Sequence, residues 1–332
     1  MTIERDFQSW RAALAPYQRP SHARSVKEIV ITVAPLAALW VTALVLTGHG
    51  WWWGALLTIP AAAFLVRLFM IQHDCGHGAF FGSGATNTWI GRLIAVVTMT
   101  PYEYWRRTHA IHHATSGNLD RRGLGAVETL TVAEYRAAPL FRRLAYAIYR
   151  NPLVMFGLGP TYMFVLQHRI PIGLMKDRPA WLSAAGVNLG VGIILAIEIA
   201  AAGLGAALVV HLSIVIVAAT IGVWLFYVQH QFEDGYWAGR ETWTAEAAAL
   251  RGSSHLDLPP VLAWFTANIG IHHVHHLGSK VPFYRLPEVL RDIPELREGR
   301  RIGLLQSFRC ARLALWDPAA GRLVPLRQAR TT

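Results

Sequence analysis

The sequence predicts an all-α integral membrane protein: four transmembrane helices arranged as two hairpins, with a cytoplasmic helical cap holding a histidine-rich site. Three observations carry that prediction. Of 332 residues, 53% are hydrophobic and only 15% charged, too apolar and too charge-poor for an ordinary soluble domain. Four stretches, near 29–47, 51–71, 181–201 and 204–228, reach the roughly 20 apolar residues that a bilayer crossing takes. Nine histidines, in three clusters and at one span end, fall where they could share a centre.

The spans pair because their links, His49-Gly50 and Ala202-Gly203, leave room only for tight turns. Charge orients them. Residues 1–28 hold 5 Lys/Arg, 72–180 hold 12 and 229–332 hold 13, and neither turn holds any. The last of the 31, Arg67, lies near the inner end of the second span, from where it is expected to snorkel to the interface. The positive-inside rule then places both termini and every histidine cluster in the cytoplasm, with a bacterial-type inner membrane as the expected location. The net charge of +11 is explained mainly by orientation and by attraction to anionic lipid. A sharper use is docking of an acidic one-electron carrier at Arg106-Arg107, Arg121-Arg122, Arg142-Arg143 or Arg300-Arg301. No nucleic-acid partner is expected, and the sequence sets no oligomeric state.

The shorter segments complete the expected architecture. Residues 89–100 and 152–167 are apolar but shorter than a span, and the second is broken by Gly157, Gly159 and Pro160. Segments of this kind lie in the interface or pack on spanning helices. Residues 259–271 resemble them and deliver the last cluster, while 315–324 reads as a short hairpin. Trp51, Trp52 and Trp53 read as an interfacial belt. Trp224, Trp237, Trp243 and Trp264 are candidates for an apolar slot or for contact with the membrane. The two cysteines, Cys75 and Cys310, are far apart and give no disulfide framework, as in a reducing compartment. The opening Thr2-Ile-Glu-Arg-Asp6 lacks the apolar core of a cleavable secretory signal.

The clusters read His73-Asp-Cys-Gly-His77, His109-Ala-Ile-His112-His113 and His272-His273-Val-His275-His276, and His230 ends the last long apolar run. Residues three and four apart share a helix face, so each cluster is expected to aim two or three imidazoles at one point. Imidazole suits zinc, copper, iron and nickel. One zinc ion is satisfied by four ligands, so eight or nine converging rings imply more than one ion. His22, His49, His168, His211 and His255 lack a partner at i+3 or i+4 and are read as packing or hydrogen-bonding residues. His273 falls outside the H-x-x-H-H frame and is expected to support the site rather than ligate. Asp74, Glu103, Glu233, Asp234 and Asp257 could orient imidazoles, and Cys75 reads as a small packing residue.

These motifs, with Trp105 to Asn118, Phe226 to Asp234 and Asn268 to Leu277 around them, resemble the membrane-bound fatty acid desaturase family, in particular its acyl-lipid branch. The resemblance implies a desaturase domain over 29–290, with the cap formed from 72–180 and 229–290, flanked by cytoplasmic segments 1–28 and 291–332. It implies two non-haem iron ions ligated by His73, His77, His109, His112, His113, His230, His272, His275 and His276. It also implies dioxygen as co-substrate, two electrons per turnover and a fatty acyl chain in a membrane lipid as substrate. Acyl-CoA-type relatives usually have four residues between the first pair of histidines; three stand there here, which favours the lipid-linked substrate. No fused electron-carrier domain is seen, so a separate donor such as ferredoxin is expected. Removing hydrogen from an unactivated methylene needs an oxidant stronger than any side chain, which only a cofactor supplies. An alkyl or carotenoid hydroxylase or ketolase reuses the same boxes and is the enzymatic alternative. A non-catalytic metal-binding or transport protein would want ligands at mid-span, where only Glu198 and His211, toward the outer side, are offered.

Overall fold

Four helices of the computed structural model, which describes residues 7–330, are long and apolar enough to cross a membrane. The reading of Thr2–Asp6 falls outside the described residues. In chain order the helices are α1 (Phe7–Leu14), α2 (His22–Gly48), α3 (Thr58–Gly76), α4 (Gly84–Val97), α5 (Tyr102–Thr115), α6 (Val132–Ala137), α7 (Leu140–Tyr149), α8 (Gly159–Thr161, inside a π-helical stretch), α9 (Arg178–Ala202) and α10 (Leu204–His230). They continue with α11 (Ala245–Arg251), α12 (Pro260–Phe265), α13 (His272–Leu277), α14 (Leu286–Asp292) and α15 (Leu304–Cys310). The long apolar ones are α2, α3 with the 3₁₀ turn that precedes it from Trp52, α9 and α10.

Local chemistry sets their ends. Ser21 Oγ accepts from the Arg24 amide and Asp177 from the Ala180 amide, so α2 and α9 begin before their apolar windows do. Gly203 divides α9 from α10 with φ of 83° and ψ of 160°, a conformation essentially restricted to glycine. Within the spans, 56% of α3 and 44% of α10 are buried, against 22% of α2 and of α9. The inner pair is therefore α3 and α10, and these two deliver His73 and His230.

Two charges inside the bundle differ from expectation. Arg67 does not snorkel. It is 2% exposed, pairs with Glu28 of α2 at 2.5 Å, donates to the Trp264 carbonyl and lies over the Trp264 ring at 4.0 Å. Glu198 and His211, read separately from the sequence, meet each other: His211 Nδ1 stands 3.0 Å from Glu198 Oε2, and Trp40 Nε1 donates to the other oxygen at 2.8 Å. Both answer the rule that a buried polar group needs a partner. Removing one member of a buried pair strands the other, at a cost of about 3–5 kcal/mol. Glu28→Gln should therefore lower the thermal stability of the detergent-solubilised protein substantially, read by a thermal unfolding assay; an unchanged midpoint would show that Trp264 alone satisfies Arg67.

The chain is mostly helical rather than all-α. The hairpin read at 315–324 is formed by antiparallel β4 (Leu315–Asp317) and β5 (Arg322–Val324), and β1 (Leu130–Thr131) adds to β4 in parallel. A second parallel pair joins β2 (His255–Asp257) to β3 (Arg301–Gly303). Through β3 and β4 the described residues after 291 are thus joined to strands much earlier in the chain. The N-terminal segment is engaged too: Leu14 is fully buried, and the Arg285 guanidinium donates to the Pro16 and Arg19 carbonyls. On α7, Leu140, Phe141, Leu144 and Ile148 are exposed beside Arg142 and Arg143, the pattern of a helix lying in a membrane interface.

Candidate metal centre

The three clusters and His230 converge at the ends of α3 and α10. His73 occupies the last turn of α3 and His77 follows directly after it. Gly78, with φ of 66°, then turns the chain away. α5 carries His109, His112 and His113, and Trp105 in its first turn packs against Gly76. A Cβ at position 76 would lie 2.7 Å from the indole Cζ3, so the small residue before His77 lets α5 approach. α13 carries the third cluster. It is reached through Ala267 and Asn268, both left-handed with φ of 52° and 55°, a conformation that is uncommon outside glycine and clusters at functional sites.

The imidazoles form two groups. One comprises His73, His77, His109 and His275, the other His112, His230, His272 and His276; within each, the ligand atoms lie within 4.8 Å of one another. His113 joins the first, with its Nε2 3.1 Å from those of His109 and His275. The expectation that each H-x-x-H-H motif aims its three rings at one point is corrected. The i, i+4 pairs stay together, His109 with His113 and His272 with His276. The remaining members, His112 and His275, cross to the opposite group. Residues four apart lie nearly above one another, while the third is rotated around the helix, so each motif bridges the two groups.

The spacing of nitrogen atoms excludes ordinary hydrogen bonding as the reason for the cluster. His109 Nε2 lies 3.1 Å from the Nε2 atoms of His73, His77 and His113 alike. A neutral imidazole nitrogen carries either one proton or one lone pair and can satisfy only one such neighbour. Lone pairs converging on one point are what a cation requires. At a metal–nitrogen distance of about 2.1 Å, ligands at right angles stand about 3.0 Å apart and tetrahedral ones about 3.4 Å. The 3.1 Å separations around His109 and His113 are close enough for these nitrogens to share one cation. In the second group, His230 Nε2 lies 2.9 Å from His272 and 3.1 Å from His112, and His112 lies 3.3 Å from His276.

Protonation is compatible with ligation. Burial, and then the neighbouring rings, hold His109, His112, His113, His272, His275 and His276 well below the ordinary histidine value, and burial brings His77 down to about 4. These rings are neutral at pH 7. Tautomers are set from behind. His73 Nδ1 stands 3.1 Å from the Asp74 carboxylate and His230 Nδ1 stands 3.1 Å from the Gly252 carbonyl. The Gly252 carbonyl cannot donate, so His230 Nδ1 keeps the proton and turns its Nε2 lone pair inward, and Asp74 in its carboxylate form holds His73 in the same way.

The remaining candidates fall elsewhere. Glu233 pairs with Arg322, Asp234 with Arg300, Asp257 with Arg301 and Glu103 with Arg92; the structure brings none of them to an imidazole. Gly252, whose carbonyl does orient one, offers no side-chain signal in the sequence. Cys75 is buried beside the site and belongs to neither group. His273 points away, donating from Nε2 to the Leu296 carbonyl at 2.8 Å. His273→Ala should accordingly be milder than His272→Ala in metal content; equal loss from both would mean that the Leu296 contact is as important as a ligand. Of the four candidate slot tryptophans only Trp237 lines the cleft beside the second group, with His112, Val127, Phe226, His230 and Tyr236. Trp224 packs on Phe156 and Phe308, Trp243 donates to the Ser116 carbonyl and Trp264 covers Arg67.

Comparison with known proteins meets this geometry. A family model described as fatty acid desaturase matches residues 50–306. The chain is 39% identical to a Bacillus subtilis protein named fatty acid desaturase, over 95% of this chain and 89% of that one. It is 24% identical to the sn-1 oleoyl-lipid 12-desaturase of a Synechocystis species, over 78% of this chain and 72% of that one. It is also 26% identical to the sn-1 acyl-lipid omega-3 desaturase (ferredoxin) of a Nostoc species, over 66% and 61% of the two chains.

Proposed function

Because this chain belongs to the fatty acid desaturase family, and is therefore an oxidoreductase, we propose that it introduces a cis double bond into an acyl chain esterified to a membrane lipid. The lipid-linked substrate is supported by the names of the cyanobacterial relatives and by the three-residue spacing of His73 and His77. The overall change removes two hydrogens from adjacent methylenes. Dioxygen becomes two waters, with two electrons from a donor and two protons completing the balance. The donor is a ferredoxin-like carrier, in line with the name of the Nostoc relative.

The nine imidazoles named above are the proposed ligands of two iron ions, His73, His77, His109, His113 and His275 for one and His112, His230, His272 and His276 for the other. The bound irons supply the oxidising power, drawn from dioxygen, that no side chain has. The protein's part is to keep the rings neutral, fix their tautomers through Asp74 and Gly252, and exclude water with apolar neighbours such as Phe226, whose ring lies 4.8 Å from that of His112. The observation that carries the reading is the contact of one nitrogen, His109 Nε2, with three others at 3.1 Å. The proposed topology has two helical hairpins, with the cap, the site and both termini on the cytoplasmic side of a bacterial inner membrane. It rests on the distribution of Lys and Arg.

The test is expression in a host that lacks the activity, followed by gas chromatography of total fatty acids against an empty-vector control, with iron measured in the purified protein. New double bonds and two irons per chain are expected. Hydroxylated or ketolated product without double bonds would replace desaturation by the sister chemistry. Zinc alone, without iron-dependent oxygen use, would revive a metal-binding role.

A further inference from the structure

We propose that the outward stripe of α5, from Arg106 to Ala114, is the face on which the reduced electron carrier docks, the carrier being a small acidic one-electron protein. The inference rests on the desaturase reading, which requires such a donor. α5 turns His109, His112 and His113 inward and presents Arg106, Arg107, Ala110, Ile111 and Ala114 to the outside, all five exposed. Positions 106, 110 and 114 recur every four residues, so they form one face. A helix with its side chains is about 10 Å thick, and Ala110 and Ala114 add almost nothing to that thickness. A partner seated there comes within one helix of five-membered rings that belong to both histidine groups.

Trp105 shortens the path further. Its half-buried indole stacks on His109 with centroids 4.5 Å apart and planes inclined by 17°, and it also lies 5.6 Å from the His73 ring. The stripe thus has a basic end beside an aromatic ring in contact with two proposed ligands, and a smooth apolar remainder.

The other arginine pairs are less suited, being tied up wholly or in part or set among exposed apolar residues. Arg300 and Arg301 are paired with Asp234 and Asp257. Arg122 is paired with Glu134. Arg142 and Arg143 sit on α7 among exposed Leu140, Phe141, Leu144 and Ile148, a surface suited to lipid. In the remaining pair Arg107 meets Asp177, but Arg106 meets no carboxylate among the described residues and lies over the Tyr102 ring at 5.7 Å. An acidic carrier therefore finds an uncompensated positive charge at Arg106, next to the Trp105 indole that stacks on His109.

The experiment measures binding of an oxidised [2Fe–2S] ferredoxin to the iron-loaded, detergent-solubilised protein across a salt series, and the KM for the reduced ferredoxin in turnover. Arg106→Gln and Ala110→Glu should each weaken binding and raise KM by about tenfold, and Arg106→Gln should flatten the salt dependence, because steering by exposed charge is screened within roughly 10 Å at 0.1 M salt. Iron content equal to the parent's checks that each variant is folded. The double change Arg300→Gln with Arg301→Gln should leave binding at the parent's value. Parent-like binding and KM in both α5 variants would overturn the docking face. So would protection of Ala110→Cys from a membrane-impermeant maleimide in nanodiscs, since that result assigns the stripe to the bilayer; the native cysteines are both buried. Failure of the parent to form double bonds with any reductant, chemical or protein, would instead strike at the desaturase reading, and the binding measurements distinguish the two.

Discussion

His230→Ala is expected to abolish turnover and to deplete iron as thoroughly as His112→Ala. His230 has no histidine near it in the chain, yet its Nε2 stands 2.9 Å from that of His272 and 3.1 Å from that of His112. The ring is 7% exposed and is held from behind by Gly252. Without it the second group keeps only His112, His272 and His276. Loss of a residue that merely orients a ligand costs about 10–100-fold in metal affinity, so removal of the ligand itself should exceed that range. His211 supplies the contrast. His211→Ala leaves the Glu198 carboxylate with Trp40 alone and should lower stability, but the iron bound per folded chain should match the parent's. His168→Ala should likewise keep its iron, since the ring packs on Phe164 and Tyr104. Iron per chain and product per iron are the two measurements. Full iron and near-normal product in His230→Ala would mean that one ligand too many has been assigned.

What was legible in the sequence follows the range over which each interaction acts. Four spans and three i, i+4 histidine pairs are visible because hydropathy and helical periodicity are local. His230 was legible more faintly, from its place at a span end. The division of the nine rings was not, because a helix shows which side chains share its face and never what stands opposite. The same limit applies to Arg67, whose partner Glu28 lies on another helix, and to the Glu198–His211 pair, whose members close on each other from α9 and α10. Glu233 and Asp234 looked suitable because they follow His230 closely. They turn outward to Arg322 and Arg300 instead, since exposed carboxylates lose least by staying with solvent and surface arginines. The group that orients His230 is a backbone carbonyl from a loop, and no residue type announces that.

Asp74 carries the second large effect. Its side chain is 1% exposed. One oxygen faces His73 Nδ1 at 3.1 Å and the other accepts from the Phe283 amide at 2.7 Å. It thus sets the tautomer of a proposed ligand and ties α3 to the chain just beyond the third cluster. A carboxylate satisfies both contacts because both of its oxygens accept. In Asp74→Asn, one end of the group becomes a donor. If the amide oxygen turns to Phe283, the NH2 meets His73 Nδ1, which must then accept; the ring proton moves to Nε2, and the lone pair that points into the site is lost. If the oxygen turns to His73, two donors face each other at Phe283, and a buried unsatisfied donor costs about 1–3 kcal/mol. Either choice harms the protein, the first through metal binding and the second through stability. The expected result is a fall in iron affinity of about 10–100-fold, measured by competition with a chelator, together with a lower unfolding temperature. Cys75→Ala, at the neighbouring buried position outside both groups, should leave iron affinity unchanged. An Asp74→Asn protein that binds two irons with the parent's affinity would show that His73 takes its orientation from packing alone.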